Sequence, residues 1–198
     1  MKLVIATSNR GKIAEFEKLL ENTDISLSSL IDYPDAPEII EDGATFLENA
    51  LKKARQTSSF TGLPALADDS GLEVDALDGK PGVLSARFAS TSGARNSKLL
   101  KMLDSVPVPD HLRTARFVCV LALVRRDGFE WTTTGICEGK ITHEPRGDSG
   151  FGYDPVFYYE PFGKTFAEIP PELKNTVSHR GNAMQAFKEA VFHGTILE

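Results

Sequence analysis

Two adjacent acids raise the first chemical question in this chain. Asp68 and Asp69 stand in the stretch "LPALADDSGLEVDAL", between a small apolar run and the pair Ser70-Gly71. Neighbouring carboxylates raise each other's pKa unless a cation relieves them. Together with Glu41 upstream they offer the oxygen ligands that suit Mg²⁺. That ion takes a few carboxylates and leaves water and substrate phosphates to complete its octahedron. Taken alone, "DDSG" reads as a polar turn, because Asp-Ser-Gly clusters are ordinary turn chemistry.

Other groups suit an anion. "TSNRGK" runs through Thr7, Ser8, Asn9, Arg10, Gly11 and Lys12, between an apolar run and an amphipathic segment. Backbone N–H groups at a helix start attract anions, and hydroxyl, amide and ammonium side chains add donors. The same residues also make a plain helix cap. They are not a Walker A loop, since Ile13 follows Lys12 and the upstream glycine is missing. Asn49 and Lys53 fall four residues apart on one helix face. An amide beside an ammonium suits a triphosphate, although spacing alone favours a solvated face. In "GDSGFGYDP", Gly152 lets backbone approach a ligand. Phe151 and Tyr153 could stack on a planar base and Asp154 accept from ring N–H groups, or the aromatics could feed a core. In "NTVSHRG", His179 and Arg180 are donors for purine carbonyl oxygens, or ordinary residues of a helix start.

These groups need elements to hold them. Lys2 to Ala6 reads as a buried strand, and Ile13, Phe16, Leu19 and Leu20 as one face of an amphipathic helix. Asp24 to Ile40 is irregular, with room for a short strand. Thr45 and Glu48 form a capping box. The helix that follows has Phe46, Leu47, Ala50, Leu51 and Ala54 as its apolar side and Glu48, Asn49, Lys52, Lys53 and Arg55 as its polar side. Pro64 to Ala67 predicts a short strand ending at Asp68, and Leu72 to Leu77 a second one. Leu99, Leu100, Met102 and Leu103 predict a helix, ended by Pro107 and Pro109. Arg116 to Arg126 is apolar enough to be a central strand. Asp127-Gly128 signals a hairpin, with Phe129 to Cys137 as its return. "RGDSGFGYDPVF" reads as a Gly-rich loop entering a strand. Ala183, Met184, Phe187 and Val191 mark a last helix, stopped near Gly194. The pattern is α/β, a mixed sheet with flanking helices. The central hairpin argues against an all-parallel doubly wound sheet. No linker divides the chain, so residues 1–198 read as a single domain with two lobes around a central cleft.

Composition excludes some classes. A formal net charge of -6 argues against a nucleic-acid partner. It leaves room for a small anionic substrate. The two cysteines, Cys119 and Cys137, are too few and too far apart for a disulfide framework or a zinc site, and read as buried thiols. The apolar run at the N-terminus is too short for a signal peptide, and no run reaches membrane length. A cytoplasmic protein with no membrane partner is expected.

Taken together and in order, the segments "TSNRGK", "EDGATFLENALKKA", "ALADDSGLEVDAL", "PGVLSARF", "GFGYDPVF", "KTFAEI" and "KNTVSHRG" resemble the Ham1/inosine-triphosphatase family of nucleotide pyrophosphatases, from Thr7 to Gly181. The resemblance implies an elongated mixed sheet in two lobes and a homodimer. It implies Mg²⁺-dependent cleavage of ITP, dITP and XTP to the monophosphate and pyrophosphate. It also implies roles. Thr7, Asn9 and Lys12 match the family's phosphate loop, where many bacterial relatives have glycine in place of Ser8. Glu41, Asp68 and Asp69 match its acidic centre, with Asp69 as both metal ligand and general base. Lys53 would neutralise a phosphate and Ser70 would touch the substrate. Phe151, Gly152, Tyr153, Asp154, Lys174, His179 and Arg180 match the base pocket. Arg87 falls in a family motif without an assigned role. Two rivals are weaker. An aspartyl phosphatase needs an Asp-x-Asp spacing that is absent here. A non-catalytic nucleotide sensor would have no need of the full set of acids and lysines, which this chain keeps.

Overall fold

Leu3, Val4 and Ile5 build β1 (Lys2–Ile5) and are buried almost completely. The computed structural model describes residues 2–194 and residue 196. β1 leads into α1 (Arg10–Leu20), whose cap is Asn9. The Asn9 side-chain oxygen accepts from the N–H groups of Gly11 and Lys12. "TSNRGK" is therefore only half loop. An asparagine at the cap satisfies amides that would otherwise be bare, so Arg10, Gly11 and Lys12 wind into the first turn. The short strand foreseen after Asp24 is β2 (Ser26–Ser29), parallel to β1 in the register Lys2 to Ser26.

α2 (Phe46–Thr61) starts with the expected capping box. Glu48 N donates to Thr45 Oγ1 at 3.1 Å, and Thr45 N donates back to the Glu48 carboxylate at 3.2 Å. The helix stops at Gly62, whose φ of 69° is left-handed. Its buried side differs from the one read off the sequence. Asn49 and Lys53 are buried, whereas Leu47 is 43% exposed.

β3 (Ala65–Val74) is the largest correction. Two short strands separated by a turn were expected, but one strand of 10 residues runs through Asp68, Asp69, Ser70 and Gly71. The physical reason lies in what the acids bond to. Turn residues satisfy themselves locally. Here ammonium groups from elsewhere supply the partners, and the fully buried Ala65, Leu66, Ala67, Leu72 and Val74 hold both ends in the sheet. Leu77 falls beyond the strand, in a 3-10 turn over Asp75–Leu77.

α3 (Ser92–Asp104) is capped by Thr91. β4 (Thr114–Val124) and β5 (Glu130–Ile141) follow, joined across Asp127-Gly128 as anticipated. β6 (Phe157–Tyr159) and β7 (Lys164–Thr165) are short. α4 (Pro171–Val177) was not anticipated. α5 (His179–Phe192) is the last helix, and Gly194 beyond it has a φ of 68°.

The strands form one sheet in the order β2-β1-β3-β4-β5-β6-β7. β1 is parallel to β2 and β3, whereas β5, β6 and β7 pair antiparallel. The sheet is mixed, and β4 lies at its centre. The chain divides into two compact units. The first holds residues 1–69, 119–135 and 183–198, with a core of Leu3, Phe16, Leu66, Leu121 and Phe187 among others. The second holds residues 70–118 and 136–182, with a core that includes Leu72, Leu99, Phe117, Phe157 and Phe166. Among the described residues, no helix is long and apolar enough to cross a membrane.

Candidate active site

The first unit gathers five of the expected charged groups around β3. Lys53 reaches out of α2, and its Nζ lies 2.6 Å from Glu41 Oε1 and 3.0 Å from Asp69 Oδ1. The same ammonium donates to the carbonyl oxygen of Asp68 at 2.8 Å. Lys12, from the first turn of α1, makes an ion pair with Asp68 Oδ1. Successive side chains of a strand point to opposite faces, and the partners sort accordingly. Lys12 takes the carboxylate of Asp68, and Lys53 takes that of Asp69. The doublet's mutual repulsion is divided between two lysines.

α2 sets the position of Glu41 as well. Asn49, fully buried, accepts from Gly43 N at 2.8 Å and so fixes the loop that carries Glu41. Any side chain at Gly43 would meet Asn49 Oδ1 at 2.7 Å. Asn49 was singled out in the sequence for its spacing to Lys53, but its burial was not foreseen.

The electrostatics follow from burial. Desolvation pushes the Asp69 carboxyl above the ordinary carboxylate range, with a further push from Glu41, against the pull of Lys53 and Lys12. Burial also works against the Lys53 ammonium, but Asp69, Glu41 and Asp68 outweigh it, and its pKa is raised. The proton stays on Lys53, and Asp69 becomes a better proton acceptor than an exposed carboxylate.

Among the described residues, no three His, Cys, Asp or Glu side chains converge as a ready-made metal cage. Mg²⁺ does not need one, because one or two carboxylates plus water and substrate phosphates suffice. Asp69 Oδ2 is buried and has no hydrogen-bond partner. A buried, unsatisfied carboxylate oxygen beside Glu41 fits a hard cation of that kind.

The rest of the phosphate loop has local duties. Thr7 Oγ1 accepts from Asn9 N at 3.2 Å, and Ser8, Asn9 and Arg10 are exposed where α1 begins.

The second unit collects the residues matched to base recognition. Asp154 Oδ2 accepts from Lys174 Nζ at 2.7 Å and from Phe151 N at 2.8 Å, with Asp154 and Lys174 both buried. A side chain at Gly150, where φ is 76°, would strike that oxygen at 2.1 Å. The Lys174 ammonium lies 4.9 Å from the centre of the Phe151 ring, within cation–π range. Arg180 is buried and donates to Ser70 Oγ at 2.9 Å. The His179 ring stacks on Phe117 with centroids 4.6 Å apart. Tyr153 faces inward and donates to the Ser85 carbonyl at 2.9 Å. Gly152 has a φ of 65° and open space beside it.

Three partners of these residues were not visible in the sequence. Ser85 receives Tyr153, Phe117 carries His179, and Cys119 touches Asp68. Each sits in a segment that otherwise reads as core or turn. Cys137 is the second buried thiol, pushed up to about 12 by burial and by Glu138.

A mixed sheet of this order, with two acids on β3 and lysines from α1 and α2 gathered around them, defines a class of nucleotide hydrolase. The chain belongs to the Ham1 family, whose model matches residues 3–190. It is 52% identical over 191 residues to a dITP/XTP pyrophosphatase of Geobacter sulfurreducens, covering 95% of each chain. The solved structure of a HAM1 protein from Coxiella burnetii superposes with a TM-score of 0.89 at 41% identity, covering 98% of this chain and 99% of that one. A structure described as a nucleoside-triphosphatase / dITP/XTP pyrophosphatase from Mycobacterium abscessus gives a TM-score of 0.76 at 45% identity, covering 94% and 98%.

Proposed function

We propose that this chain hydrolyses non-standard purine nucleoside triphosphates, namely dITP, XTP and ITP, to the monophosphate and pyrophosphate. The observation that carries the reading is the buried Asp69 Oδ2, held without a partner beside Lys53 and Glu41. The relatives named dITP/XTP pyrophosphatase support the substrate class.

Water attacks the α-phosphorus, and the bond from that phosphorus to the bridging oxygen breaks. Pyrophosphate leaves with the electron pair. Asp69 orients the water and accepts its proton. Lys12 and Lys53 offset the charge on the phosphates. Glu41 and Asp69 would hold Mg²⁺, which when bound would draw charge from the phosphate oxygens. On the base, the 6-oxo group of hypoxanthine or xanthine accepts from His179, Arg180 or Lys174. Adenine would set an amine against those donors, and an opposed hydrogen bond in a buried site discriminates strongly. We further propose that residues 1–198 act as one pyrophosphatase domain with two lobes, as a homodimer in the cytoplasm.

Asp69→Asn tests the assignment. Turnover of dITP should fall by about 10³-fold while KM moves less than about threefold, because the lost group acts chiefly in the transition state. Near wild-type turnover of that variant at saturating Mg²⁺ would remove Asp69 as the base.

A further inference from the structure

Cys119 sits in β4, fully buried, and has no part in the chemistry above. Its Sγ lies 3.0 Å from Asp68 Oδ2, with the thiol as donor. The other oxygen of that carboxylate, Oδ1, holds the ammonium of Lys12. The Asp68 side chain is 0% exposed, so both groups meet it away from water. Thiols are weak donors, and a carboxylate is the acceptor that strengthens such a bond most. The terminal torsion of an aspartate is soft. A donor from the neighbouring strand on Oδ2, opposite the ammonium on Oδ1, restrains the plane of the carboxylate and with it the place of that ammonium.

We propose that Cys119 is a positioning residue, whose thiol locks the Asp68 carboxylate in the orientation that presents the Lys12 ammonium to the substrate's phosphates. It rests on the pyrophosphatase reading and adds a residue to it. A thiol kept only for its volume would tolerate any apolar replacement of similar size. A positioning thiol requires a donor.

The test uses the full chain with Cys137→Ala, which leaves Cys119 as its one thiol. In that background Cys119→Ser keeps a donor, Cys119→Val fills the volume without one, and Cys119→Ala removes both. Turnover of dITP should fall at least about tenfold in the Val and Ala variants. KM should stay within about threefold, since misalignment acts mainly at the reacting geometry. The Ser variant should recover most of the loss. Independently of activity, the infrared S–H stretch of Cys119 should lie below that of the unfolded chain and move back towards it in Asp68→Asn. A Val variant with the turnover of its parent, or an S–H band at the free-thiol position in the folded protein, overturns the proposal. If the Cys137→Ala parent itself releases no pyrophosphate from dITP, XTP or ITP, the function reading fails and the proposal falls with it. That outcome differs from an active parent with an equally active Val variant.

Discussion

Lys53 is the residue on which the first unit's charges balance. Two carboxylates and a carbonyl oxygen converge on its Nζ. Removing one partner of a buried ion pair leaves an uncompensated charge and typically costs several kcal/mol. Lys53→Met should therefore lower the unfolding free energy at neutral pH by about 3 kcal/mol, read from urea denaturation. Unchanged stability would mean that Asp69 is neutral or solvated in the folded state. At this scale the sequence was legible by residue type. Asp68, Asp69, Lys12 and Lys53 announce themselves as charges next to apolar runs. Burial was less legible. Spacing says that Asn49 and Lys53 share a helix face, but not which face is covered. Cys119 gave no signal, because a thiol in an apolar strand looks the same whether or not a carboxylate lies opposite.

Elements were legible where a local bond dictates them and illegible where a distant one does. The Thr45–Glu48 box and the Asp127-Gly128 turn are local, and both were found as read. Asp127 is held far down, to about 2, by Arg125 first and then by the N–H of Phe129. Its folded pKa is depressed, so the stabilisation is fully present above the ordinary value of 3.8 and disappears as pH falls through about 2. The melting-temperature gap between wild type and Asp127→Asn should stay constant from neutral pH to about pH 4 and close as pH 2 is approached. A gap that persists at pH 2 would show that the turn does not depend on the carboxylate's charge. The continuity of β3 depends on lysines 15 and 56 residues away, which no local window contains. α4 has only seven residues, too few to display a helical period. Its junction with α5 is tight. A Cβ on Gly181 would lie 1.9 Å from the Asn175 carbonyl oxygen. Gly181→Ala should cost about 2 kcal/mol in urea unfolding by forcing that junction apart. Gly93→Ala in α3, where an added carbon meets nothing, should leave stability equal or higher. Equal effects at the two sites would contradict the packing described.

On the scale of the whole molecule, the chain interleaves its two units. The divisions fall within β3, β4, β5 and α5, at Asp69, Val118, Gly135 and Asn182. The acids and the lysines that hold them lie in one unit, and the Asp154–Lys174 pair and Arg180 in the other. The mixed sheet and family membership were legible because ordered motifs cover nearly the whole chain. The division into units was only a pattern of elements until the contacts were known. One measurement tests the central claim most directly. Purified protein with Mg²⁺ is offered dITP, XTP, ITP, dATP and ATP, and pyrophosphate and orthophosphate are counted separately. The account predicts one pyrophosphate per monophosphate from the three 6-oxo substrates, with kcat/KM at least about 100-fold above the adenine nucleotides. Orthophosphate as the first product, or ATP cleaved as well as ITP, would contradict it.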